Sequence, residues 1–344
     1  MNYNLKAGSD RLLWIDIAKI IGIYLMIIGH QNLLDENTTR VIFSFHMPFF
    51  FCISGMFWRQ TPFIDTLIKT YKTLIVPFLL ITASWCLYYF ICYLYNGIPI
   101  TSFFSCALCS FISPGKKMFS MMPFCIYLWF LLSLSIIKCL SANFNKPTLF
   151  VVVVFLSLLG MLLSIYSITL PLGLDSALLA LPFYAIGIII IPYLKRRFSL
   201  VVELVLFLIS AVIVFTLGYN NGTVDINICR YGNSYIIYII VGIAGTLLLV
   251  SFSKLIVSIF GKIKMYSSII TNISTGLLLI VGYSAMLTSI YRRIIAYIFP
   301  SIDITTNQFG LLLGTLVLLT FYPFILLAKR YIPAILGYRN ERIR

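Results

Sequence analysis

Charged residues are scarce in this chain of 344 residues, at 10% of the sequence against about 25% in an average soluble domain. Hydrophobic residues make up 61% and aromatic residues 16%. This composition argues against a soluble globular enzyme, a disordered tail and a nucleic-acid-binding module. It is typical of an all-α polytopic membrane protein, in which most of the surface faces lipid.

The signatures of several soluble catalytic sites are also missing. The sequence contains no G-x-S-x-G, no H-E-x-x-H and no P-loop, which excludes the serine-hydrolase elbow, the zinc protease helix and the phosphate-binding loop. It has two histidines, His30 and His46. Two imidazoles are too few ligands for a zinc ion unless Asp35 or Glu36 joins them, so we predict no metal site.

Long apolar runs take the place of these motifs. A helix that crosses a bilayer needs about 20 mostly apolar residues, and windows of that kind predict ten transmembrane helices. They cover residues 13–33, 41–58, 74–95, 122–140, 148–168, 174–194, 200–219, 234–253, 270–291 and 309–331. The run 99–113 is shorter and is predicted to be re-entrant or interfacial. Because no repeat is visible and the longest polar interruptions, 59–73 and 254–268, are too short to fold alone, residues 1–344 are predicted to form a single transmembrane domain.

The basic residues predict how the helices are oriented. The formal charge of +15 would suggest a nucleic-acid partner in a soluble protein, but the 25 Lys and Arg residues fall mainly in short segments between apolar runs. With the N-terminus in the cytoplasm, 18 of them lie in the inner segments and six in the outer ones. Cytoplasmic loops carry such an excess, so we predict that both termini are cytoplasmic and that no nucleic acid is bound.

The first predicted helix carries polar residues where lipid is expected. Asp16, Lys19 and His30 lie in one apolar run, and a charge inside a bilayer costs about 2.5–3.5 kcal/mol, so such side chains normally face the bundle interior. Lys19 and His30 are eleven residues apart, which places them on one helix face with a separation of about 16 Å along the axis. Asp16 precedes Lys19 by three residues and is expected to pair with it.

The second histidine falls at a matching depth. His46 lies near the start of the second predicted helix, so the His30 and His46 rings are expected to approach each other across adjacent helices. A histidine in an apolar run often does no more than satisfy an interior hydrogen bond, and this interpretation stays open. Alternatively, a histidine can take a proton from a hydroxyl group held beside it.

Two non-enzymatic interpretations also stay open. A transporter could use Asp16, Lys19 and His30 as a proton relay or a substrate site. A membrane assembly partner with no chemistry would leave the alignment of Lys19 with His30 unexplained. Transporters often show internal repeats and broken helices, and the lack of a clear repeat here favours an enzyme.

The same residues carry a resemblance to a known family. The run from Asp16 to Lys19 leading to Gly29-His30, followed by residues 45–51 and Ser54-Gly55, resembles the opening of the integral-membrane acyltransferase-3 family. The hallmark of that family is a basic residue, ten intervening residues and a histidine. Its usual basic residue is arginine, and the lysine here is similar to the subgroup of fucose 4-O-acetylase-like proteins. Weaker similarities occur at residues 72–77, 128–131, 181–187 and 231–246, so the resemblance covers about residues 10–330.

The resemblance implies a function and a set of roles. The family moves acyl groups, most often acetyl, onto extracytoplasmic carbohydrate, which implies acetyl-CoA as the donor substrate, a sugar hydroxyl of a surface polysaccharide or its lipid-linked precursor as the acceptor, and a bacterial plasma membrane as the location. No permanently bound cofactor is expected. His30 would act as general base, or alternatively carry the acetyl group transiently, with Lys19 and Asp16 below it.

Further side chains are candidates for binding the two substrates. His46 and Trp129 are predicted to orient His30 or bind the acceptor, although an aromatic ring can also serve packing alone. Arg59, Lys69 and Lys72 are predicted to meet the phosphates of CoA, although basic residues at these positions can also do no more than set topology. Many relatives carry a histidine late in their ninth helix, whereas residues 282–287 contain none, so acceptor choice is expected to differ here.

Overall fold

A computed structural model of the protein describes residues 12–31, 33–116, 122–196, 198–260, 264–300 and 303–337. Within these ranges the chain is almost entirely helical, and its extended structure is a single short hairpin. The first six helices are α1 (Leu13–Gly29), α2 (Glu36–Gly55), α3 (Phe63–Thr70), α4 (Val76–Tyr95), α5 (Ile100–Ile112) and α6 (Trp129–Leu140). They are followed by α7 (Lys146–Ile165), α8 (Leu174–Leu194), α9 (Leu200–Ile213), the strands β1 (Val224–Asp225) and β2 (Arg230–Tyr231), α10 (Tyr235–Phe260), α11 (Lys264–Thr275), α12 (Leu277–Ile298) and α13 (Asn307–Tyr331).

A helix occupies each of the ten predicted positions, and the all-α polytopic fold is confirmed. Seven helical stretches are long and apolar enough to cross a membrane: 63–95, 146–165, 171–194, 200–218, 235–260, 277–298 and 307–331. The other three predicted spans are α1, α2 and α6. Of these, α1 has 17 residues and α6 has 12, while α2 opens with a polar turn. The predicted re-entrant piece is α5, a 13-residue apolar helix.

In three of the predicted spans the difference from the structure has a local cause. Helix α2 begins at Glu36, five residues early, because the Asp35 side chain caps it by accepting a hydrogen bond from the Thr38 N–H at 2.9 Å. Helix α6 begins only at Trp129, since the preceding segment is held by side-chain hydrogen bonds such as that from the Phe124 N–H to Ser110 Oγ at 2.7 Å. The predicted span 270–291 is divided at Gly276 into α11 and α12.

The connecting segments between helices form two groups, and the members of each group contact one another at one end of the bundle. One end joins segments that charge places inside, through hydrogen bonds from Asn143 N–H to Thr61 O, Trp58 Nε1 to Ser141 O and Lys254 Nζ to Arg196 O. The other end joins segments that charge places outside, through contacts between Asn307 and Asp35, Asn227 and Gly115, and Lys116 and Asp175. The alternation of loops between two ends agrees with the predicted helix directions. Which end faces the cytoplasm stays a prediction.

Two glycines hold the centre of the bundle together. A Cβ atom built on Gly55 of α2 would lie 1.9 Å from the Tyr184 carbonyl oxygen, and one on Gly187 of α8 would lie 2.0 Å from the Cys52 carbonyl oxygen. Real Cβ atoms do not approach oxygen so closely, so the α2 and α8 backbones can touch only where both positions lack a side chain. This contact keeps α2, which carries His46, at a fixed position against α8.

The close contact predicts a large effect of bulk at position 187. Gly187→Leu should separate α2 from α8 and destabilise the protein by more than the roughly 1–3 kcal/mol of ordinary overpacking, because the clash is with backbone. The melting temperature of the detergent-solubilised variant measures this. Ile189→Phe adds bulk to the same helix at a side chain that is 49% exposed and should melt like the parent protein. Equal melting temperatures for both variants would contradict the packing argument.

Candidate active site

A large cavity lies between α1, α2, α6 and the α11–α12 junction. Its volume is about 580 Å³, and it is referred to here as the main cavity. Its wall combines apolar side chains with a few polar ones, as in most small-molecule sites. The polar and titratable members are Lys19, His30, His46, Ser54, Tyr127, Lys138, Asp225 and Asn227.

The two histidines lie together in the wall of the main cavity. Their ring centroids are 6.1 Å apart, and the His30 ring is 4.8 Å from Phe43 and 4.6 Å from Tyr127. His30 occupies the C-cap of α1, so its side chain emerges where the helix ends. No hydrogen bond from a described residue holds its ring nitrogens, which leaves them available to a substrate. The expected approach of the two imidazoles is therefore seen in the structure.

His46 is more tightly constrained than His30. It is buried, and its Nδ1 lies 2.8 Å from the Ile42 carbonyl oxygen one turn earlier in α2. A carbonyl oxygen can only accept, so Nδ1 carries the hydrogen and the Nε2 of a neutral His46 is an acceptor. The ring is thus fixed in orientation and can receive a hydrogen bond from His30 or from a hydroxyl group in the cavity.

Lysines lie at the opposite end of the main cavity. Lys19 is on the same face of α1 as His30, and its Nζ is 5.7 Å from the centroid of Phe57. Lys138, near the C-terminus of α6, also lines the cavity and is within electrostatic range of Lys19 and Lys69. None of the described carboxylates forms a salt bridge with Lys138. The main cavity therefore has a positive end and a histidine end.

The other predicted site residues lie in the wall of the main cavity, behind that wall or outside it. Trp129 is buried in the wall of the main cavity. Asp16 is buried behind that wall and accepts a hydrogen bond from Ser274 Oγ at 2.5 Å, so it connects α1 to α11. Three further residues, Arg59, Lys69 and Lys72, are exposed and lie outside the cavity wall. Their predicted role in CoA binding stays a prediction.

A buried ion pair holds the part of the main cavity wall that contains Gly115 and Asn227. Lys116 Nζ donates to Asp175 Oδ1, and Asp175 also accepts from the Ser176 and Leu170 backbone N–H groups. The Gly115 carbonyl oxygen, in the same turn as Lys116, accepts from Asn227 Nδ2 at 2.7 Å. Beside Asn227, burial raises the pKa of Asp225 above its ordinary value.

Breaking this ion pair on one side should cost more than removing it entirely. Asp175→Leu leaves the Lys116 ammonium buried without a counter-ion and should destabilise the protein by about 3–5 kcal/mol. Adding Lys116→Met to that variant should recover most of the loss. Chemical denaturation of the two variants in detergent measures the difference, and a double variant less stable than the single one would contradict the pairing.

Two smaller cavities adjoin the histidine end. An aromatic cavity of about 440 Å³ is walled by rings that include a stack of Trp85, Tyr89 and Phe124, with Arg293 at its edge. A polar cavity of about 190 Å³ is lined by His30, Gln31, Tyr127, Ser284, Thr288 and Arg292, among others. Tyr127 lines all three cavities and His30 lines the main and polar ones. These two side chains therefore separate the main cavity from its neighbours.

Sequence reasoning missed Tyr127, Lys138 and the polar cavity. A sequence signal exists for Lys138, which is the one charge in the apolar helix α6, but in the sequence it counts only among the 18 basic residues of the predicted inner segments. Tyr127 lies in the irregular segment before α6, where no periodicity indicates the direction of a side chain.

Within the described residues, no group of three or more His, Cys, Asp or Glu side chains is placed to hold a metal ion.

Comparison with known proteins identifies a family. The family model described as "Acyltransferase domain" matches residues 12–329, which includes every polar residue of the main cavity. The match does not favour the transporter considered from the sequence. No curated protein and no solved structure matches the chain.

Proposed function

The chain belongs to the acyltransferase-3 family and is a membrane acyltransferase, and we propose that it moves an acetyl group from acetyl-CoA to a sugar hydroxyl. The acceptor is a surface polysaccharide or its lipid-linked precursor, and the protein lies in a bacterial cell membrane. Lys19 at the position of the usual arginine supports placement among the fucose 4-O-acetylase-like members.

The observation that carries this proposal is the polarity of the main cavity. One end presents Lys19 and Lys138 and the other presents His30 and His46. CoA has the matching layout, because its anionic phosphates and its thioester are separated by a long uncharged arm. Lysine ammonium groups bind phosphate as point charges, while the apolar middle of the cavity suits the arm. This alignment directs the thioester carbon toward the histidines.

The reaction requires little more than a base and an enclosed site. The sugar hydroxyl gives its proton to a ring nitrogen of His30 as its oxygen attacks the thioester carbon. The tetrahedral intermediate then collapses, the carbon–sulfur bond breaks, and the CoA thiolate leaves with the proton that His30 returns. The products are an acetyl ester and CoA, so the base is regenerated and no other reactant is consumed.

His46 and Asp16 act through other groups in this scheme. The Nε2 of His46, fixed as an acceptor by the bond from Nδ1 to Ile42, can hold the His30 ring or the attacking hydroxyl in place. Asp16 anchors α1 to α11 through Ser274 and thereby sets the position of Lys19, three residues further along α1. Both are positioning residues.

Replacing the base should abolish most of the transfer without unfolding the protein. His30→Gln should lower the rate of acetyl transfer by about 10²–10⁴-fold, the usual contribution of general base catalysis. Transfer of radiolabelled acetyl from acetyl-CoA to the surface glycan of the host measures the rate, and the melting temperature reports folding. A folded His30→Gln protein that transfers acetyl at the parental rate would refute the assignment.

A substitution at the lysine end of the main cavity should change the KM for acetyl-CoA and leave the KM for the acceptor unchanged. Lys138→Gln removes a charge from the cavity and should raise the KM for acetyl-CoA by about tenfold, since a hydrogen bond to a charged group is worth about 1.5–3 kcal/mol. The KM for the acceptor should stay constant. Lys146→Gln is the matched control, because Lys146 is exposed at the start of the next helix. Equal effects of both substitutions would indicate a general effect of charge, against a CoA site at Lys138.

A further inference from the structure

The polar cavity contains a cation, Arg292, that forms no salt bridge with any described carboxylate. Arg292 is partly buried in its wall, and its one hydrogen bond to a described residue is a long contact of 3.4 Å from Nη1 to the Gln31 carbonyl oxygen. None of the described residues in the cavity wall carries a carboxylate, and besides His30, Gln31 and Tyr127 its other polar members are the neutral hydroxyls of Ser284, Thr288 and Ser289. A guanidinium matches a carboxylate with two parallel hydrogen bonds. The cavity therefore has the electrostatic character of an anion site.

The position of the polar cavity relates it to the reaction. It adjoins the histidine end of the main cavity, and the His30 ring lines both. A donor thioester in the main cavity and a hydroxyl in the polar cavity would thus meet on either side of one imidazole. The volume of about 190 Å³ is below the roughly 300–1,000 Å³ of drug-sized ligand sites, which suits one sugar unit.

We infer that the polar cavity is the acceptor subsite and that it selects a sugar bearing a carboxylate, such as a uronic acid. This inference rests on the proposed function for the identity of the reaction. The Arg292 guanidinium binds the carboxylate, the Ser284 and Thr288 hydroxyls hydrogen-bond the ring hydroxyls, and His30 receives the proton of the hydroxyl to be acetylated. Arg292 does not belong to the resemblance on which the family was recognised.

Binding of a carboxylate-bearing sugar to the polar cavity can be tested without catalysis. Glucuronate should raise the melting temperature of the purified protein, and glucose at the same concentration should raise it much less. Arg292→Gln should abolish the difference between the two sugars. Arg293→Gln is the matched control, since Arg293 is the next residue but lines the aromatic cavity, and it should keep the difference.

The selectivity of acetyl transfer is tested with p-nitrophenyl β-D-glucuronide and p-nitrophenyl β-D-glucoside as acceptors and radiolabelled acetyl-CoA as donor. The parent protein should prefer the glucuronide by at least tenfold in kcat/KM, Arg292→Gln should bring that ratio close to one, and the KM for acetyl-CoA should not change. Equal use of both glycosides by the parent protein would overturn the inference and leave the proposed acetyl transfer intact. Arg292-dependent binding of glucuronate without any acetyl transfer would support the subsite and refute the proposed function.

Discussion

The low polarity of the bilayer is the constraint from which the site follows. A charged side chain on a spanning helix must face the interior, so α1 can carry Lys19 and His30 only if the neighbouring helices leave room for them. The structure meets this requirement with a cavity lined by both residues. The close contact of α2 with α8 at Gly55 and Gly187 holds α2 beside α1, and through α2 it positions His46 next to His30.

Enclosure and charge then divide the cavity into functional ends. Lys19 and Lys138 give one end a positive potential, which is little screened inside the bundle because the surroundings are apolar. At the other end the histidines are surrounded by aromatic rings such as Phe43 and Tyr127. The wall itself thus offers a place for an anionic donor and a separate place for proton transfer. A polar cavity with Gln31 and Arg292 lies behind the second of these places.

The parts that the sequence predicted are those governed by periodicity. Ten apolar windows located ten helical positions, and the eleven-residue spacing placed Lys19 and His30 on one face, because both follow from the geometry of a single helix. Lys138 and Tyr127 were not predicted as site residues, since their positions depend on how α6 and the segment before it pack against α1. The polar cavity joins the end of α1 to Ser284 and Thr288 of α12, far apart in the chain. Ser284 lies in residues 282–287, the stretch that lacks the histidine expected from the family resemblance, so that departure falls at this cavity.

The central claim is that one cavity receives the donor at its lysine end and delivers the thioester to His30. A structure of the His30→Gln protein with acetyl-CoA bound, determined in lipid nanodiscs by electron cryomicroscopy, tests this most directly. The account predicts density for the CoA phosphates beside Lys19 and Lys138, with the thioester at position 30 and the pantetheine arm along the main cavity. Acetyl-CoA bound elsewhere on the protein, with the main cavity empty, would contradict it.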